Sequence, residues 1–427
     1  MSDLVRASKR GLLSNSASIG MTRGVAIVVG FVNSIVVARA LSLDARGTFF
    51  LLVATAQIAI QFGNLGLPSA NTYLISNRPI IGGRLLANTM WIALVACLVL
   101  GVVGFTIGSL VPSYDWMLGA EGLGVLLYAA AGLAMLLLQN FLIGQLRIGS
   151  SNVVELVAKV GSVALLILVW AAGFAGVLSF LACTIIGTVL AALYALKSLQ
   201  IKVTLQSWDA PLFREQFAVG ARAYLACTLA LWTLMPAFVI ESRLGSGDLA
   251  LFAQAQLICV MALVVPGAVG TALFPRLGLL SKSSDRIAFT MYSMAVCGIA
   301  MILVIACIAA TAPWIIPWVY GMPYEPSVGL LMAMLPGIFG LGLSSVTQNS
   351  LIANGYPWSC SAAPLVAAVV MAAGLWWFRS LEAAAWLYSG AGIVQFLISL
   401  AAWYRLRHQT DAVRRGGDRV EKESASE

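Results

Sequence analysis

Uninterrupted apolar runs of about 20 residues, the length that crosses a bilayer as a helix, constrain this chain more than any other feature. The stretch MWIALVACLVLGVVGFTIG, from Met90 to Gly108, contains no charged residue, and comparable runs recur along the sequence. Only 10% of the residues are charged, against about a quarter in soluble domains. Such a chain has too few polar side chains to cover a water-facing surface, so the runs predict an integral membrane protein.

The runs are continuous rather than alternating. In hydrocarbon every backbone polar group needs an internal partner, which leaves α-helices or closed β-barrels. Barrel strands alternate apolar and polar residues over about ten positions, and these runs do not. The sequence therefore predicts an all-α integral membrane protein with about 12 transmembrane helices. The predicted spans are 16–40, 49–76, 86–110, 122–145, 153–172, 174–196, 216–240, 249–275, 287–318, 328–353, 358–378 and 382–404.

Basic residues are divided unequally between the two sides of the membrane that these spans define. With the N-terminus in the cytoplasm, 20 of the 25 lysines and arginines fall in cytoplasmic segments and 4 on the outer side. The positive-inside rule then predicts that both termini are cytoplasmic. Basic loops that face anionic lipid head groups account for the net charge of +8, so no nucleic-acid partner is expected.

A short motif occurs twice and indicates an internal duplication. Gln139-Asn140 and Gln348-Asn349 each end an apolar run, and each pair is followed by one residue and then Leu-Ile. The repeat predicts that the chain consists of two six-helix halves with the same orientation, as in transporters with parallel repeats. We expect an N-terminal lobe at residues 1–205 and a C-terminal lobe at residues 206–408. The densely charged residues 409–427 are predicted to form a disordered cytoplasmic tail.

Three segments resemble a known group of transporters. They are LSLDARGTF after the first span, FGNLGLPSANTYLIS at residues 62–76 and TALFPRLGLLS at residues 271–281. They resemble the multidrug/oligosaccharidyl-lipid/polysaccharide (MOP) exporter superfamily, and within it the Wzx-type flippases of O-antigen and exopolysaccharide units. The resemblance covers residues 10–405.

This resemblance implies two pseudo-symmetric six-helix bundles in the cell inner membrane. It implies a substrate of undecaprenyl-pyrophosphate-linked oligosaccharide, moved from the cytoplasmic to the periplasmic leaflet by alternating access of the two lobes. The implied partners are this substrate, the lipid bilayer, and the polysaccharide polymerase and chain-length proteins of the same pathway. No cofactor is implied.

Two arginines are candidate ligands for the pyrophosphate. Arg23 lies about 10 Å inside the first span at 1.5 Å per residue, and Arg222 lies near the entrance of span seven, the matching helix of the other half. A cation in such a position either lines a polar cavity or extends its head group to the membrane interface. For Arg222 the interfacial interpretation is favoured.

Amides inside the spans are candidate hydrogen-bond partners for sugar hydroxyls. They either line a cavity or bond neighbouring helices, and the sequence leaves both interpretations open. The i, i+4 and i, i+3 spacing places three of them on one face of span two. The candidates are Gln57, Gln61 and Asn64 in span two and Gln139, Gln348 and Asn349 in spans four and ten.

Glu155 and Lys159 are the candidate residues for ion coupling. Their i, i+4 spacing on span five permits an intrahelical ion pair, which is the alternative interpretation.

Two other functions compete with a lipid-linked oligosaccharide flippase. A small-molecule exporter of the same superfamily is the first. Its drug and cation antiporters often carry an Asp in the first helix, and span one here has no carboxylate. A membrane enzyme of the polysaccharide pathway is the second, and it would need a catalytic cluster. No predicted loop exceeds about 20 residues, and the single histidine is His408.

The seven cysteines lie apart within apolar runs, so neither a metal site nor a disulfide is expected.

Overall fold

The computed structural model describes residues 24–201, 208–279, 283–353 and 357–424, and within them it contains helices and no strand. Eleven helical segments of this part of the chain are long and apolar enough to cross a membrane, and α1 is a shorter apolar helix. The prediction of an all-α, multi-pass membrane protein is thereby confirmed. The helices are α1 (Gly24–Ala40), α2 (Leu43–Gly63), α3 (Leu67–Asn77), α4 (Gly82–Leu110), α5 (Ala120–Gly144), α6 (Ile148–Ala171), α7 (Val177–Ser198), α8 (Ala210–Leu229), α9 (Met235–Leu244), α10 (Ser246–Ala262), α11 (Val264–Leu279), α12 (Ser283–Tyr320), α13 (Ser327–Ala353), α14 (Pro357–Trp377) and α15 (Leu381–Ser424).

Three of the twelve predicted spans are interrupted helices. Span two is divided into α2 and α3 by residues 64–66, span seven into α8 and α9 by a 3-10 helix at Ala230–Leu234, and span eight into α10 and α11. A proline stands in the first turn of each second segment, at Pro68, Pro236 and Pro266. A proline is tolerated there because the first N–H groups of a helix have no partner within it.

The break between α2 and α3 depends on local turn chemistry. The hydroxyl of Ser42 caps α2 by accepting a hydrogen bond from the N–H of Ala45 at 3.3 Å. At the other end Leu65 and Gly66 take the left-handed φ values of 48° and 78°. A Cβ on Gly66 would lie 2.6 Å from the carbonyl oxygen of Gly220, so the close approach of α8 also requires glycine here.

The C-terminal segment differs from its prediction. A disordered tail is expected from residue 409, whereas α15 continues as a helix to Ser424. Opposite charges at i, i+4, such as Asp411 with Arg415 and Asp418 with Lys422, favour helix on sequence grounds.

The contacts divide the chain into two compact units. The first contains the described residues up to Thr228 together with Ala237–Ala250 and Val319–Gly321. The second contains Leu229–Pro236, Leu251–Trp318 and the described residues from Met322 onward. Helix α8 thus belongs to the first unit, although it follows the expected lobe boundary at residue 205. The lobes at 1–205 and 206–408 remain a prediction.

Each unit has a tightly packed interior. In the first unit α3 to α7 bury a cluster that includes Leu85, Phe141 and Leu142, each completely inaccessible to solvent. In the second unit α13 and α15 approach so closely that a Cβ on Gly337 would lie 2.4 Å from the Cα of Ser389. The hydroxyl of Ser389 accepts a hydrogen bond from the N–H of Gly337 at 2.7 Å, which fixes the register of these two helices.

Candidate functional site

The three amides predicted for span two lie near its break. Gln57 is exposed on α2. Gln61 donates from Nε2 to the hydroxyl of Thr228 at 3.3 Å and accepts at Oε1 from Asn64 at 3.1 Å. Asn64 is buried, and its Oδ1 accepts from the N–H of Gly66 at 2.9 Å. Asn64 therefore forms part of the turn, while Gln57 presents its amide at the helix surface.

The side chains of the two candidate arginines lie outside the part of the chain that the structure describes. Arg23 lies outside the described residues. Arg222 lies on α8, but its side chain is outside the described part of the structure. Their role in binding a pyrophosphate stays a prediction.

Glu155 and Lys159 form an ion pair along α6. The Lys159 ammonium donates to Oε1 of Glu155 at 2.8 Å, and the two side chains are 45% and 35% exposed respectively. A half-exposed i, i+4 pair of this kind contributes little to stability, about 0.3–0.5 kcal/mol. The geometry is that of the intrahelical pair, and it leaves the coupling role as a prediction.

The first Gln-Asn pair bonds neighbouring helices of its own unit. Gln139 donates from Nε2 to the carbonyl oxygen of Ser151 at the start of α6, at 3.1 Å. The hydroxyl of Thr72 on α3 donates to the carbonyl oxygen of Asn140 at 3.2 Å and to its Oδ1 at 3.3 Å. The pair thus connects α5 to α6 on one side and to α3 on the other.

The second pair has comparable neighbours in the second unit. Gln348 donates from Nε2 to the hydroxyl of Ser344 at 3.1 Å, and its backbone carbonyl oxygen accepts from the thiol of Cys360 on α14 at 3.6 Å. Asn349 donates to the carbonyl oxygen of Ser345 at 2.9 Å. A Cβ on Gly270 of α11 would lie 2.5 Å from its Nδ2, so α11 packs directly on this amide.

A buried polar network that the sequence analysis did not single out anchors α8 to α3 and α4. Asn71, Asn88 and Gln216 are completely buried. Gln216 donates from Nε2 to Oδ1 of Asn71 at 3.0 Å and to the hydroxyl of Thr89 at 3.2 Å. Asn88 exchanges two hydrogen bonds with the backbone of Asp209, at 2.8 and 2.9 Å. Because these residues are held on three helices, the network fixes the start of α8 within the first unit.

Ion pairs at the same end of α8 add to this anchor. Arg84 on α4 lies 3.4 Å from a carboxylate oxygen of Asp209, and Arg78 pairs with Glu215. The other carboxylate oxygen of Asp209 caps α8 by accepting from the N–H of Leu212 at 3.1 Å. The four paired side chains are between 23% and 56% exposed, whereas the amides are completely buried, so the amides contribute more to the anchor than the charges do.

A second group that the sequence analysis did not identify surrounds Tyr320, which belongs to the first unit. The Tyr320 hydroxyl shares a hydrogen bond of 2.9 Å with the hydroxyl of Ser34, and the guanidinium of Arg46 lies 5.7 Å from the centre of its ring. Arg39 donates from Nε to the carbonyl oxygen of Val319 at 2.8 Å. Two of the four basic residues predicted for the outer side therefore bind the end of α12.

The second unit has its own aromatic and amide cluster where span seven is broken. Trp232 donates from Nε1 to Oε1 of Gln395 at 2.8 Å, and its ring centre lies 5.3 Å from that of Tyr388. Gln256 donates to the carbonyl oxygen of Thr233 at 2.6 Å. The break in the helix leaves such carbonyls without their usual partners, and a buried amide supplies one.

Neutral amides and hydroxyls thus dominate the polar interior of both units. Such groups can bind sugar hydroxyls, because each amide both donates and accepts. The described residues contain no cluster of three His, Cys, Asp or Glu side chains that could hold a metal ion.

Comparison with known proteins identifies the fold of this chain. No protein-family model matches the sequence, and curated proteins give no match. The inward-facing structure of a multidrug resistance MATE family transporter of the MOP superfamily matches with a TM-score of 0.68 at 16% identity, over 91% of this chain and 96% of that chain. The lipid II flippase MurJ, in an inward closed conformation, matches with a TM-score of 0.70 at 13% identity, over 90% of this chain and 86% of that chain. This chain has the fold of the MOP superfamily transporters.

A third match agrees. A MOP superfamily transporter from Pyrococcus furiosus gives a TM-score of 0.61 at 14% identity, over 95% of this chain and 96% of that chain. The predicted resemblance is therefore confirmed at the level of the fold, and all three matching proteins are transporters or flippases rather than enzymes.

Proposed function

We propose that this protein is a flippase that moves a polyprenyl-pyrophosphate-linked oligosaccharide from the cytoplasmic to the periplasmic leaflet for surface polysaccharide synthesis. The observation that carries the proposal is the fold, which extends over nine tenths of the chain in the match to a lipid II flippase. The Wzx-like sequence segments add the substrate class to that observation.

The polar groups of the interior support a carbohydrate rather than an ionic cargo. The amides of Gln57 and Gln61 lie on one face of α2, and Gln57 is exposed there. Neutral donor and acceptor groups bind sugar hydroxyls, whereas the pyrophosphate requires cations. We assign that requirement to Arg23 and Arg222, and ion coupling to Glu155 and Lys159. Translocation proceeds by alternating access of the lobes at 1–205 and 206–408, with both termini in the cytoplasm.

Proteoliposomes that contain the purified protein test this function. A fluorescent undecaprenyl-pyrophosphate oligosaccharide is placed in both leaflets, and the loss of outer-leaflet fluorescence on quenching reports its movement. We expect movement that depends on the protein. Arg23→Ala should abolish it and Arg23→Lys should retain part of it, because Lys keeps the charge but lacks the planar guanidinium. Wild-type rates in Arg23→Ala would exclude Arg23 as a phosphate ligand.

Export of drugs or other small molecules is the second candidate, because a multidrug resistance MATE family transporter matches with a TM-score of 0.68. Cells that lack the gene distinguish the two functions. Accumulation of a lipid-linked oligosaccharide in these cells supports the flippase. Drug sensitivity without such accumulation supports the exporter.

A further inference from the structure

Helix α4 borders an apolar groove in the first unit. In its first half Leu85, Leu86 and Ile92 are buried, but between Ala96 and Gly108 none of its residues is buried. Residues of this stretch, together with residues of α2 and α5, line a cavity of about 1220 Å³. The 3-10 helix Pro112–Leu118 contributes to the lining beyond the end of α4.

The lining of this groove suits hydrocarbon alone. None of its described lining residues is charged. Among them Thr55 alone carries a hydroxyl, which donates to the carbonyl oxygen of Leu51 in its own helix at 2.8 Å. Tryptophans stand at both ends, with Trp91 and Trp208 at one and Trp116 at the other. Tryptophan is enriched at membrane interfaces, so the groove follows the bilayer from one interface towards the other.

The length of the groove favours a long hydrocarbon chain as its occupant. The lining residues on α4 extend from Trp91 to Ile107, which is about 24 Å at 1.5 Å per residue. One leaflet supplies about 15 Å of hydrocarbon, half of the core. A phospholipid acyl chain would therefore fill about two thirds of the groove, whereas a polyprenyl chain is long enough to fill it. We propose that the groove between α2, α4 and α5 binds the polyprenyl chain of the lipid-linked substrate, an inference that rests on the proposed function.

Charge at one end of the groove agrees with this occupant. Phe213 lines the groove beside Trp208, and the exposed Arg214 follows it directly in α8. Arg84 lies two turns before Trp91 on α4 and is also exposed. The positive-inside rule assigns this end to the cytoplasm, where the substrate enters with its pyrophosphate. A chain bound in the groove would hold that anionic head group near Arg214 and near Arg84, which also pairs with Asp209.

Binding of a polyprenyl chain in the groove depends on van der Waals contacts rather than on the hydrophobic effect. A chain that leaves the bilayer for an apolar groove stays in hydrocarbon, so only van der Waals contacts favour the groove. A side chain that fills the groove far from Trp91 should therefore weaken the binding of long chains and spare that of short ones, and Gly104 lies about 20 Å from Trp91 at 1.5 Å per residue. Gly104 provides the position, because a Cβ added to it would meet no atom within 4 Å.

The test uses Gly104→Leu, with Gly390→Leu as the matched control. Gly390 is a helical glycine of α15 that also has no atom within 4 Å of an added Cβ, and it does not line the groove. Two substrates that share one oligosaccharide pyrophosphate head, on an undecaprenyl or a farnesyl chain, are compared in proteoliposomes. We expect Gly104→Leu to slow the undecaprenyl substrate about ten-fold through lost contacts. It should leave the farnesyl substrate at the control rate.

Equal effects of Gly104→Leu on both substrates, or no effect on either, would overturn the proposal. A wild-type protein that moves neither substrate would instead contradict the proposed function, and cross-linking then decides about the groove. Diazirine-bearing undecaprenyl phosphate should label residues 91–107 more strongly than a phosphatidylglycerol with the diazirine on its acyl chain. Equal labelling by the two lipids would show an ordinary lipid-facing surface and would overturn the inference.

Discussion

Replacing Asn88 by alanine should release the start of α8 from the first unit. The Asn88 side chain donates to the carbonyl oxygen of Asp209 at 2.8 Å and accepts from its N–H at 2.9 Å. A third, longer contact of 3.5 Å reaches Oε1 of Gln216. Asn88 is completely buried, so water cannot replace these bonds without a rearrangement of the helices around it.

The expected loss follows from these contacts. Interhelical hydrogen bonds in membrane proteins contribute about 0.6 kcal/mol each on average and at most about 1.7. Two good bonds therefore contribute about 1–3 kcal/mol. The backbone N–H and carbonyl groups of Asp209 then lose their partners. If no water reaches them, this adds about 1 kcal/mol or more to the loss of unfolding free energy. We expect Asn88→Ala to lower the free energy of unfolding by about 2–4 kcal/mol.

Asn77→Ala is the matched control, because Asn77 is an exposed asparagine whose one bond among the described residues is to the carbonyl oxygen of Tyr73 in its own helix, at 2.8 Å. Unfolding by SDS titration of the purified proteins measures both free energies, and the control should change by less than about 0.5 kcal/mol. Hydrogen exchange should increase at residues 210–220 in Asn88→Ala alone. Equal stabilities of the two variants, with unchanged exchange in α8, would refute the anchor.

Four further variants test other contacts. Gly220→Ala should destabilise by about 2 kcal/mol or more in the same SDS titration, because its Cβ would lie 2.5 Å from the carbonyl oxygen of Gly66; wild-type stability would contradict this contact. Glu155→Gln should lower the free energy of unfolding by less than about 0.5 kcal/mol. If Glu155 couples ions, transport by this variant should no longer depend on an imposed pH gradient. Gln139→Leu and Gln348→Leu should each lower the unfolding free energy by about 0.6–1 kcal/mol and leave transport per folded molecule unchanged, and a transport defect at unchanged stability would argue for a cavity role.

The sequence predicted the spans well and their interruptions poorly, for a physical reason. Runs such as residues 90–108 form helices in lipid whatever surrounds them, because the backbone has no other partner. The break at residues 64–66 depends instead on Gly220, which approaches Gly66 from another helix. A contact between residues so far apart in the chain leaves no local periodicity to read.

The buried network of the first unit was missed for a related reason. Gln216 lies in the sequence near Phe213 and Phe217, and nothing local shows that it meets Asn71 and Asn88. One signal was available: an amide within an apolar stretch is costly in lipid and so implies a partner. That signal identifies such residues but does not say with which other amide each of them pairs.

The repeated Gln-Asn pair shows what such contacts imply for ligand binding. Both Gln side chains are already hydrogen-bonded, Gln139 to the backbone carbonyl oxygen of Ser151 and Gln348 to the hydroxyl of Ser344. A sugar would have to displace such a bond to reach either amide, which favours a packing role for the pair. Gln57 is different, because its side chain is exposed and no bond of it is found among the described residues. A hydroxyl that binds Gln57 would displace no protein partner among the described residues, so this amide is better suited than the repeated pair to the first contact with a carbohydrate.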